Sequence, residues 1–364
     1  MTLALEDGTL MEGVSFGAVR PVAGEVVFNT GMAGYVEALT DPSYCGQILV
    51  LTYPLVGNYG VPAPRAVGSI DRPYESSRIQ VQGLVVQNFV SDFSHRDAVR
   101  SLGGWLVDED IPAVCGIDTR TLTRRLRERG TLRGWLYPAG LALEEAQAAS
   151  AAVDMRREVF HRVAPATPTT YGQGEPLVML IDVGAKDNIV RSLLARGATV
   201  RRVPWHADWL ADARSVDGIV IGNGPGDPAD LTELVGKVRQ LLRESAKPIF
   251  GICLGNQLLA LAAGGSTYKL PYGHRGVNQP VQDLLTRRCF VTSQNHGYAV
   301  DDRALPDDWE PWFVNINDGT NEGIRSKRKV QFGIQFHPEA RPGPEDTGFL
   351  FDEFVGLARS ARIR

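Results

Sequence analysis

The second half of the chain alternates short apolar runs with amphipathic helical stretches in a regular order. Uninterrupted apolar runs are typical of strands that are buried on both faces of a parallel sheet. Strict alternation of strand and helix predicts βαβ units, and hence an open, mostly parallel sheet flanked by helices. The predicted strands cover residues 177–181, 199–203, 218–222, 248–252 and 330–336, and the predicted helices cover residues 188–195, 231–245 and 257–263.

Cys253 lies where one of these apolar runs stops and a helix begins. Gly251 and Gly255, two positions to either side, allow a sharp, strained turn that holds a side chain above the sheet. A helix N-terminus favours a thiolate through its partial positive charge. The N–H of Leu254 could also hold a developing oxyanion. The pattern predicts a nucleophilic cysteine in preference to a buried structural one.

A candidate base follows the last predicted strand, in the sequence His337-Pro-Glu339. Residues two apart in an extended chain point the same way, and Pro338 restricts His337 to extended geometry. We therefore expect His337 and Glu339 to project together, with the carboxylate orienting the imidazole. Nucleophile, base and orienting carboxylate would then occur in the chain order Cys253, His337, Glu339.

A glycine-rich loop, Gly-Asn-Gly-Pro-Gly-Asp-Pro, follows another buried strand at residues 222–228. Its backbone N–H groups would be accessible to a ligand. The Lys-Ser/Thr pair of a phosphate-binding loop is missing. We interpret the loop as a second oxyanion donor near Cys253, with a plain turn as the alternative.

The remaining histidines and cysteines carry weaker signals. His296 lies in a polar stretch, residues 293–297, that we interpret as a loop, where it is either a substrate contact or a hydrogen-bonded loop histidine. The other histidines have no ligand spacing, so no metal site is predicted; they are His95, His161, His206 and His274. The other cysteines lack the strand-to-helix context and are predicted to be packing residues; they are Cys45, Cys115 and Cys289.

The first half of the chain predicts a smaller, mixed α/β domain. Residues 25–30 and 47–52 are short β-prone runs. A helix is predicted between an N-cap at Asp118 and a stop at Gly130, and residues 143–158 also have a helical pattern. A stretch rich in Pro, Thr and Gly separates the halves. The predicted organisation is a domain at 1–165, a linker at 166–176 and a second domain at 177–364.

Composition excludes several classes of protein. The net charge of −4 gives no reason to expect nucleic acid or an anionic membrane as a partner. No apolar run approaches the ~20 residues of a membrane span, and the first residues lack the order of a secretory signal. Four cysteines without CxxC spacing indicate neither a disulfide framework nor a zinc site. We therefore expect a reducing, cytoplasmic setting.

The three motifs of the second half resemble those of the triad-type glutamine amidotransferases, whose fold is an open α/β sheet. The first half carries further motifs that resemble the N-terminal domain of carbamoyl phosphate synthetase small subunits. These motifs lie at residues 9–13, 24–30, 39–44, 51–54 and 116–120. With the two halves in this order, the resemblance covers nearly the whole chain.

The resemblance implies a mechanism. Cys253 would attack the side-chain carboxamide of glutamine, and His337, held by Glu339, would pass a proton to the departing ammonia. Water would then hydrolyse the Cys253 thioester to glutamate. The oxyanion would be held by the N–H of Leu254 and by residues 224–226. The implied glutamine contacts are Ser43, Gly224, Gly226, Leu254, Gln257, Asn295, Gly297 and Tyr298.

The resemblance also implies a partner. Ammonia would pass through a tunnel to a large subunit that makes carbamoyl phosphate from bicarbonate and ATP, for arginine, pyrimidines or both. The two chains would form a heterodimer or a higher assembly. No cofactor is expected on this chain, since ATP and Mg or K ions would belong to the large subunit.

The chain departs from the family pattern in two places. Asn256 stands where many relatives carry histidine, and both residues can hydrogen-bond. The segment at residues 61–77, rich in Pro and Arg, is longer than in some members. This departure affects only a surface loop or part of the contact with the partner.

Two alternatives remain open. The chain could be the amidotransferase subunit of another synthetase, for anthranilate, GMP or CTP, although its first domain resembles none of their accessory parts. It could instead be a non-catalytic scaffold that stabilises the large subunit. Loss of the nucleophile would mark such a scaffold, and Cys253 is present.

Overall fold

The computed structural model describes residues 1–63, 66, 68–70, 73–150 and 152–362. It divides into two units, Met1–Val159 and Phe160–Arg364. The predicted linker, residues 166–176, falls within the second unit and includes the strand Thr169–Tyr171. Part of the segment 61–77, namely residues 64, 65, 67, 71 and 72, lies outside the described residues.

The first unit is a mixed α/β structure, as predicted. Its strands are β1 (Thr2–Leu5), β2 (Leu10–Glu12), β3 (Val14–Ser15), β4 (Val22–Asn29), β5 (Gln47–Leu51), β6 (Leu55–Val56), β7 (Val61–Pro62), β8 (Gly83–Val85), β9 (Asn88–Phe89), β10 (Ala98–Arg100), β11 (Ala113–Cys115) and β12 (Leu132–Tyr137). Its helices are α1 (Tyr35–Thr40), α2 (Leu102–Asp108), α3 (Thr119–Arg129) and α4 (Leu143–Ala149), with a 3₁₀ turn at Pro42–Tyr44. Helix α5 (Glu158–Val163) contains the boundary between the units.

Eight strands of the first unit form one sheet within the described residues, in the order β2-β1-β12-β4-β5-β8-β11-β3. Strands β4, β5, β8 and β11 run parallel at its centre, and the flanking strands are antiparallel. The predicted helix α3 is confirmed. The Asp118 side chain accepts a hydrogen bond from the N–H of Thr121 at 2.9 Å, and Gly130 ends the helix at a φ of 89°.

The prediction of one helix over residues 143–158 is wrong, because α4 ends at Ala149 and α5 begins only at Glu158. Ser150 has an extended backbone, with ψ at 109°. The Asp154 carboxylate accepts a hydrogen bond from the N–H of Arg156 at 2.9 Å. A short polar side chain such as Asp154 competes with helical hydrogen bonds by bonding to nearby backbone groups, and this bond lies in the non-helical stretch between α4 and α5.

The second unit contains the predicted strand–helix alternation. Its strands are β13 (Thr169–Tyr171), β14 (Leu177–Asp182), β15 (Thr199–Pro204), β16 (Gly218–Ile221), β17 (Ile249–Ile252), β18 (Thr267–Asp283), β19 (Cys289–Val300), β20 (Trp309–Asn315), β21 (Asn321–Ser326) and β22 (Gln331–Ile334). Its helices are α6 (Asp187–Leu194), α7 (Thr232–Glu244), α8 (Leu254–Ala263) and α9 (Phe349–Arg362), and short 3₁₀ turns lie at Asp212–Arg214, Pro228–Asp230 and Asp302–Ala304. Each strand and helix predicted for this half is present, with ends that differ by a few residues.

The described strands of this unit form one sheet in the order β13-β15-β14-β16-β17-β22-β21-β20-β18-β19. The parallel strands β15, β14, β16, β17 and β22 confirm the predicted α/β sheet. An antiparallel extension that the sequence patterns did not predict continues from β22 through β21, β20, β18 and β19.

The helices cover both faces of the parallel strands. Phe250 packs its ring against Phe351 and Phe354 of α9. A side chain at the next residue, Gly251, would instead meet α8. Because successive strand residues point to opposite faces, α8 and α9 lie on opposite sides of the sheet. No helix within the described ranges is long and apolar enough to span a membrane.

The turn from β17 into α8 leaves no room for side chains at its glycines. A Cβ at Gly251 would lie 2.6 Å from the backbone of Gly255, and a Cβ at Gly255 would lie 2.1 Å from the carbonyl oxygen of Ile221. Backbone atoms cannot move aside as a flexible side chain can. The two glycines therefore set how closely α8 can approach the strands beneath it.

We predict that Gly255→Ala lowers the free energy of unfolding by about 3 kcal/mol, since the new methyl group overpacks against backbone. The matched control is Gly236→Ala in α7, where a Cβ meets nothing within 4 Å. That change should stabilise the chain by about 0.5–1 kcal/mol, because alanine is the better helix former. Thermal unfolding of both variants checks the pair. Equal melting temperatures would contradict the tight packing at Gly255.

Candidate active site

Cys253 occupies the turn between β17 and α8 in a strained backbone conformation, with φ at 55° and ψ at −106°. Non-glycine residues rarely adopt positive φ, and such strain clusters at functional sites. The N–H of Cys253 donates to the carbonyl of Ile334 at 2.8 Å, which ties the turn to β22. Because Leu254 is the first helical residue, its N–H precedes the intrahelical ladder and stands beside the cysteine.

His337 lies just beyond β22 and is also buried. Its N–H donates to the carbonyl of Ser293 at 2.9 Å. Its ring Nδ1 donates to Oε1 of Glu339 at 2.6 Å, so the carboxylate fixes the orientation of the ring. The opposite nitrogen, Nε2, has no hydrogen-bond partner among the described residues. A ring nitrogen that exchanges a proton with a substrate atom would have no partner of this kind before the substrate binds.

The His337 imidazolium and the Glu339 carboxylate are both buried, and each stabilises the charge of the other. Burial disfavours the imidazolium, yet the Glu339 carboxylate and then the Cys253 sulfur outweigh it and raise the pKa of His337 to about 10. Burial would raise the pKa of Glu339, but Lys186 and His337 outweigh it and lower that pKa to about 2. Opposite charges at close range favour the ionised forms.

Lys186 contacts the carboxylate of Glu339 and Asn188 contacts its backbone, and the sequence patterns did not single out either residue. The Lys186 Nζ lies 3.2 Å from Oε1 of Glu339 and donates to the carbonyl of Ala340 at 2.5 Å. The Asn188 Nδ2 donates to the Glu339 carbonyl. Both residues follow β14, at the carboxyl ends of the parallel strands. The rule that sites gather there was the one signal that could have found them.

The glycine-rich loop lies against the same turn. A Cβ at Gly224 would meet the Val183 carbonyl oxygen at 2.3 Å and the Leu254 side chain at 2.9 Å. Gly226 has a φ of 82°. The Asn223 Oδ1 accepts a hydrogen bond from the N–H of Lys186 at 2.9 Å, which fixes the loop beside α6. The structure thus brings Gly224 and Leu254 into contact, and their roles as oxyanion donors stay predictions.

Several of the predicted glutamine contacts surround Cys253. The Cys253 Sγ lies 3.7 Å from the carbonyl oxygen of Asn295. The Gln257 Nε2 donates to the carbonyl of Tyr298 at 2.7 Å. Gly297 lies between Asn295 and Tyr298 in β19. Ser43 belongs to the first unit, in the 3₁₀ turn Pro42–Tyr44, where it is buried. All of these glutamine contacts remain predictions.

His296 lies in β19 and not in a loop, so that part of the prediction is wrong. Its Nδ1 donates to the carbonyl of Tyr298 at 2.8 Å. Burial, then the charge of His274, lowers its pKa well below the usual value. The stretch resembles a loop in sequence because it is polar. In the folded chain its polar side chains bond to each other and to backbone, as the Gln294 amide does to the Thr292 hydroxyl at 3.1 Å.

The pairing of β18 with β19 brings His274 opposite His296, which the sequence spacing did not predict. The His274 Nε2 lies 2.8 Å from Asp318 Oδ2, and Nδ1 lies 3.5 Å from Glu322 Oε1. Burial alone would lower the pKa of His274, but Glu322 and Asp318 outweigh it and raise that pKa. Ligand atoms of His274, His296 and Glu322 lie within 4.8 Å of one another. The two carboxylates stabilise the charged form of His274.

The other cysteines differ in their surroundings. Cys45 is buried, as predicted for a packing residue, and Cys115 is half-buried. Cys289 is exposed at the start of β19, so its prediction as a packing residue is wrong. At the edge of the sheet, a residue at this position points to solvent.

We predict that His337→Asn changes stability in a pH-dependent manner. The pKa of His337 in the folded chain is raised to about 10, above the ~6.5 of an unfolded chain. Its charged form therefore stabilises the fold fully below pH ~6.5, and this contribution is lost as the pH rises towards 10. The difference in unfolding free energy between wild type and His337→Asn should shrink from pH 6 to pH 9.5 in urea titrations. A difference that stays constant would contradict the buried ion pair.

Comparison with protein-family models gives two matches that divide the chain in the same way. The model described as "Glutamine amidotransferase class-I" matches residues 179–357. The model described as "Carbamoyl-phosphate synthase small chain, CPSase domain" matches residues 3–136.

Curated relatives are similar over nearly the whole chain. The arginine-specific small chain of carbamoyl phosphate synthase from Aspergillus fumigatus is 46% identical over 357 residues, which cover 97% of this chain and 79% of that protein. The multifunctional protein pyrABCN of Emericella nidulans is 44% identical over 98% of this chain and 17% of its own length. A human mitochondrial protein, whose name is carbamoyl-phosphate synthase (ammonia), is 44% identical over 99% of this chain and 24% of its own length.

This chain thus spans about a quarter or less of these longer relatives. The solved structure of a putative GMP synthase component from Thermoplasma acidophilum aligns with 53% of this chain and 98% of its own, at 22% identity and a TM-score of 0.46. The two family models and the small chain from Aspergillus fumigatus agree on one assignment. The chain belongs to the carbamoyl-phosphate synthase small-chain family, with a class-I glutamine amidotransferase domain in its second half.

Proposed function

We propose that this chain hydrolyses glutamine to glutamate and ammonia, and that it supplies the ammonia to a synthase chain that makes carbamoyl phosphate. The observation that carries the proposal is the arrangement of three buried side chains. Cys253 stands on a strained strand-to-helix turn, and its sulfur contributes to the raised pKa of His337. Glu339 holds the far side of the His337 ring at 2.6 Å.

The chemistry is acyl transfer in two steps. The Cys253 sulfur attacks the carboxamide carbon of glutamine, an S–C bond forms, and the C–N bond breaks. The leaving nitrogen takes a proton from Nε2 of His337 and departs as ammonia. His337 then removes a proton from water, whose oxygen attacks the thioester. The C–S bond breaks, glutamate leaves, and the thiolate and imidazolium are restored.

Family membership alone leaves the nitrogen source open, because some relatives are named for ammonia. The triad is what favours glutamine for this chain. A scaffold that only stabilised a partner would need neither a strained cysteine nor a histidine whose buried charge is held by two further residues. Strained backbone persists only when its surroundings enforce it. Here Gly251, Gly255 and the bond from Cys253 to Ile334 enforce it.

The partner we propose is a large synthase chain that binds ATP, Mg or K ions and bicarbonate, in a heterodimer or a higher assembly. Support comes from the relatives whose names describe multifunctional proteins several times longer than this chain. The match of residues 3–136 to the small-chain model favours this pathway over anthranilate, GMP or CTP synthesis. No cofactor is proposed for this chain. Arginine, pyrimidines or both could use the product.

We propose the cytoplasm as the location of the chain. No disulfide joins the cysteines in the described part of the chain, which suits a reducing compartment. Some relatives are named as mitochondrial. Fractionation of the native organism would distinguish the two.

We predict that Cys253→Ser lowers glutamine-dependent carbamoyl phosphate synthesis by about a thousandfold or more in the complex with the large chain. Synthesis from added ammonia should be unchanged, since that nitrogen bypasses Cys253. Both rates are measured on the same purified complex. Glutamine-driven synthesis that persists in the variant would overturn the role of Cys253.

The matched control is Cys289→Ser, because Cys289 is also a free cysteine but is exposed, at the start of β19. It should keep full glutamine-dependent activity. An electrophilic glutamine analogue should label Cys253 in wild type and in Cys289→Ser, and should label neither cysteine in Cys253→Ser. Labelling of Cys289 by the analogue would show that the reagent reports exposure and not a glutamine site.

A further inference from the structure

Gln335 is completely buried between β22 and His337, and no motif singled it out. Its side-chain Nε2 lies 3.6 Å from the Sγ of Cys253. We propose that Gln335 is a positioning residue for the nucleophile: its amide N–H donates to the sulfur and favours the thiolate over the thiol. This inference rests on the proposed glutamine hydrolysis for its purpose, although its geometry stands independently.

The direction of the Gln335 amide follows from its neighbours. The carbonyl of Tyr298 can only accept, so the group of Gln257 that lies 2.7 Å from it must be the NH₂. The same NH₂ lies 3.1 Å from Gln335 and requires an oxygen there. The remaining side of the Gln335 amide, which faces the sulfur, is therefore the NH₂. The reverse orientation would place two NH₂ groups together and an oxygen against the sulfur.

The backbone and a second donor hold this arrangement in place. The N–H of Gln335 donates to the carbonyl of Glu322 at 2.8 Å. The Tyr298 carbonyl accepts from His296 Nδ1 at 2.8 Å as well as from Gln257. An amide whose partners are themselves fixed loses little entropy when it bonds to the sulfur. Pre-organised donors of this kind stabilise charge more effectively than mobile ones.

The two neighbours of the sulfur act on different protonation states. The Asn295 carbonyl, 3.7 Å away, can accept a hydrogen bond from the S–H of a thiol. The Gln335 NH₂ can only donate, and a donor interacts most strongly with a negatively charged acceptor. Removal of the NH₂ group of Gln335 should therefore destabilise the thiolate relative to the thiol. The thiolate is the attacking species, and it is also the group that leaves when the thioester is hydrolysed.

The sequence contains a signal for Gln335 in retrospect. Residues 335, 337 and 339 are two apart, and extended residues at this spacing point the same way. The spacing that predicted His337 beside Glu339 also predicts Gln335 on that side, although in the structure the chain bends at Gln335 and turns after His337. The chain order would then be sulfur donor, base and orienting carboxylate on one short segment.

The test compares Gln335→Met with Gln331→Met. Gln331 lies in the same strand, is also buried, and donates through Nε2 to the Leu242 carbonyl at 3.1 Å. Both variants replace a buried amide by a side chain of similar length. The probe is iodoacetamide, without glutamine or partner, with Cys253 alkylation followed by peptide mass spectrometry from pH 5 to pH 10.

We expect the pH midpoint of Cys253 alkylation to rise by about one unit in Gln335→Met, the shift that loss of one hydrogen bond to a charged group gives. The rate near neutral pH should fall about tenfold. Gln331→Met should leave the midpoint at the wild-type value. In the complex, kcat for glutamine should fall while KM changes by less than about threefold. An unchanged midpoint in a folded Gln335→Met chain would overturn the proposal.

Gln335→Glu covers the case in which Gln335→Met does not fold, as judged by circular dichroism. It keeps the shape of the side chain and exchanges the NH₂ for an oxygen, so the midpoint should rise at least as much. A midpoint unchanged from wild type would again reject the inference. Because alkylation needs neither glutamine nor partner, a shifted midpoint in a chain without glutamine hydrolysis would refute the proposed function and leave the role of Gln335 intact.

Discussion

The structure around Cys253 depends on one steric constraint, the close approach of α8 to the ends of β16 and β17. A Cβ at Gly255 would lie 2.1 Å from the Ile221 carbonyl oxygen, so only glycine permits that approach. The same approach forces Cys253 into positive φ. It also directs the start of α8, with its partial positive charge, at the sulfur. Geometry and electrostatics at the nucleophile therefore have a common origin.

A second constraint is the compensation of buried charge beside the sulfur. An isolated imidazolium would lose its proton in so buried a place. Glu339 prevents this, and Lys186 keeps Glu339 ionised in turn. Removal of one member of such a chain leaves an uncompensated buried charge, which costs about 3–5 kcal/mol. The arrangement thus makes positions on β14–α6 and β22 interdependent, although they are far apart in sequence.

The sequence predicted those parts of the site whose geometry is local. The turn at Cys253 follows from the glycines at two-residue spacing. The pairing of His337 with Glu339 was predicted from an extended chain, whereas the structure reaches it through a turn in which the Ala340 N–H donates to the His337 carbonyl at 3.0 Å. The α/β sheet likewise follows from the order of its apolar runs. Each of these features depends on a few neighbouring residues, so a single sequence contains enough information to predict it.

The missed parts depend on contacts between distant segments. Lys186 reaches Glu339, and His274 meets His296 across a strand pair, through pairings that no short motif specifies. The polar residues of β19 resemble a loop in sequence because their side chains are satisfied by each other, which polarity alone does not reveal. The helix predicted at 143–158 failed for the opposite reason. Its periodicity was adequate, but the backbone turns extended at Ser150, and the Asp154 carboxylate bonds to a nearby backbone N–H beyond it.

Three groups lie around the sulfur: the start of α8, His337 and the Gln335 amide. They act on the negative charge near the sulfur, on the proton and on the thiolate, respectively, which explains how one site can both attack and release an acyl group. The start of α8 stabilises negative charge near the sulfur whatever bond it makes. His337 donates and accepts the proton, because it is buried in its protonated, charged form. The Gln335 amide acts only on the thiolate, since a thioester sulfur is uncharged and a poor acceptor. A nucleophile stabilised too strongly attacks slowly but leaves readily. A donor specific to the free thiolate therefore favours release of the sulfur while it lowers the nucleophilicity of the thiolate only in part.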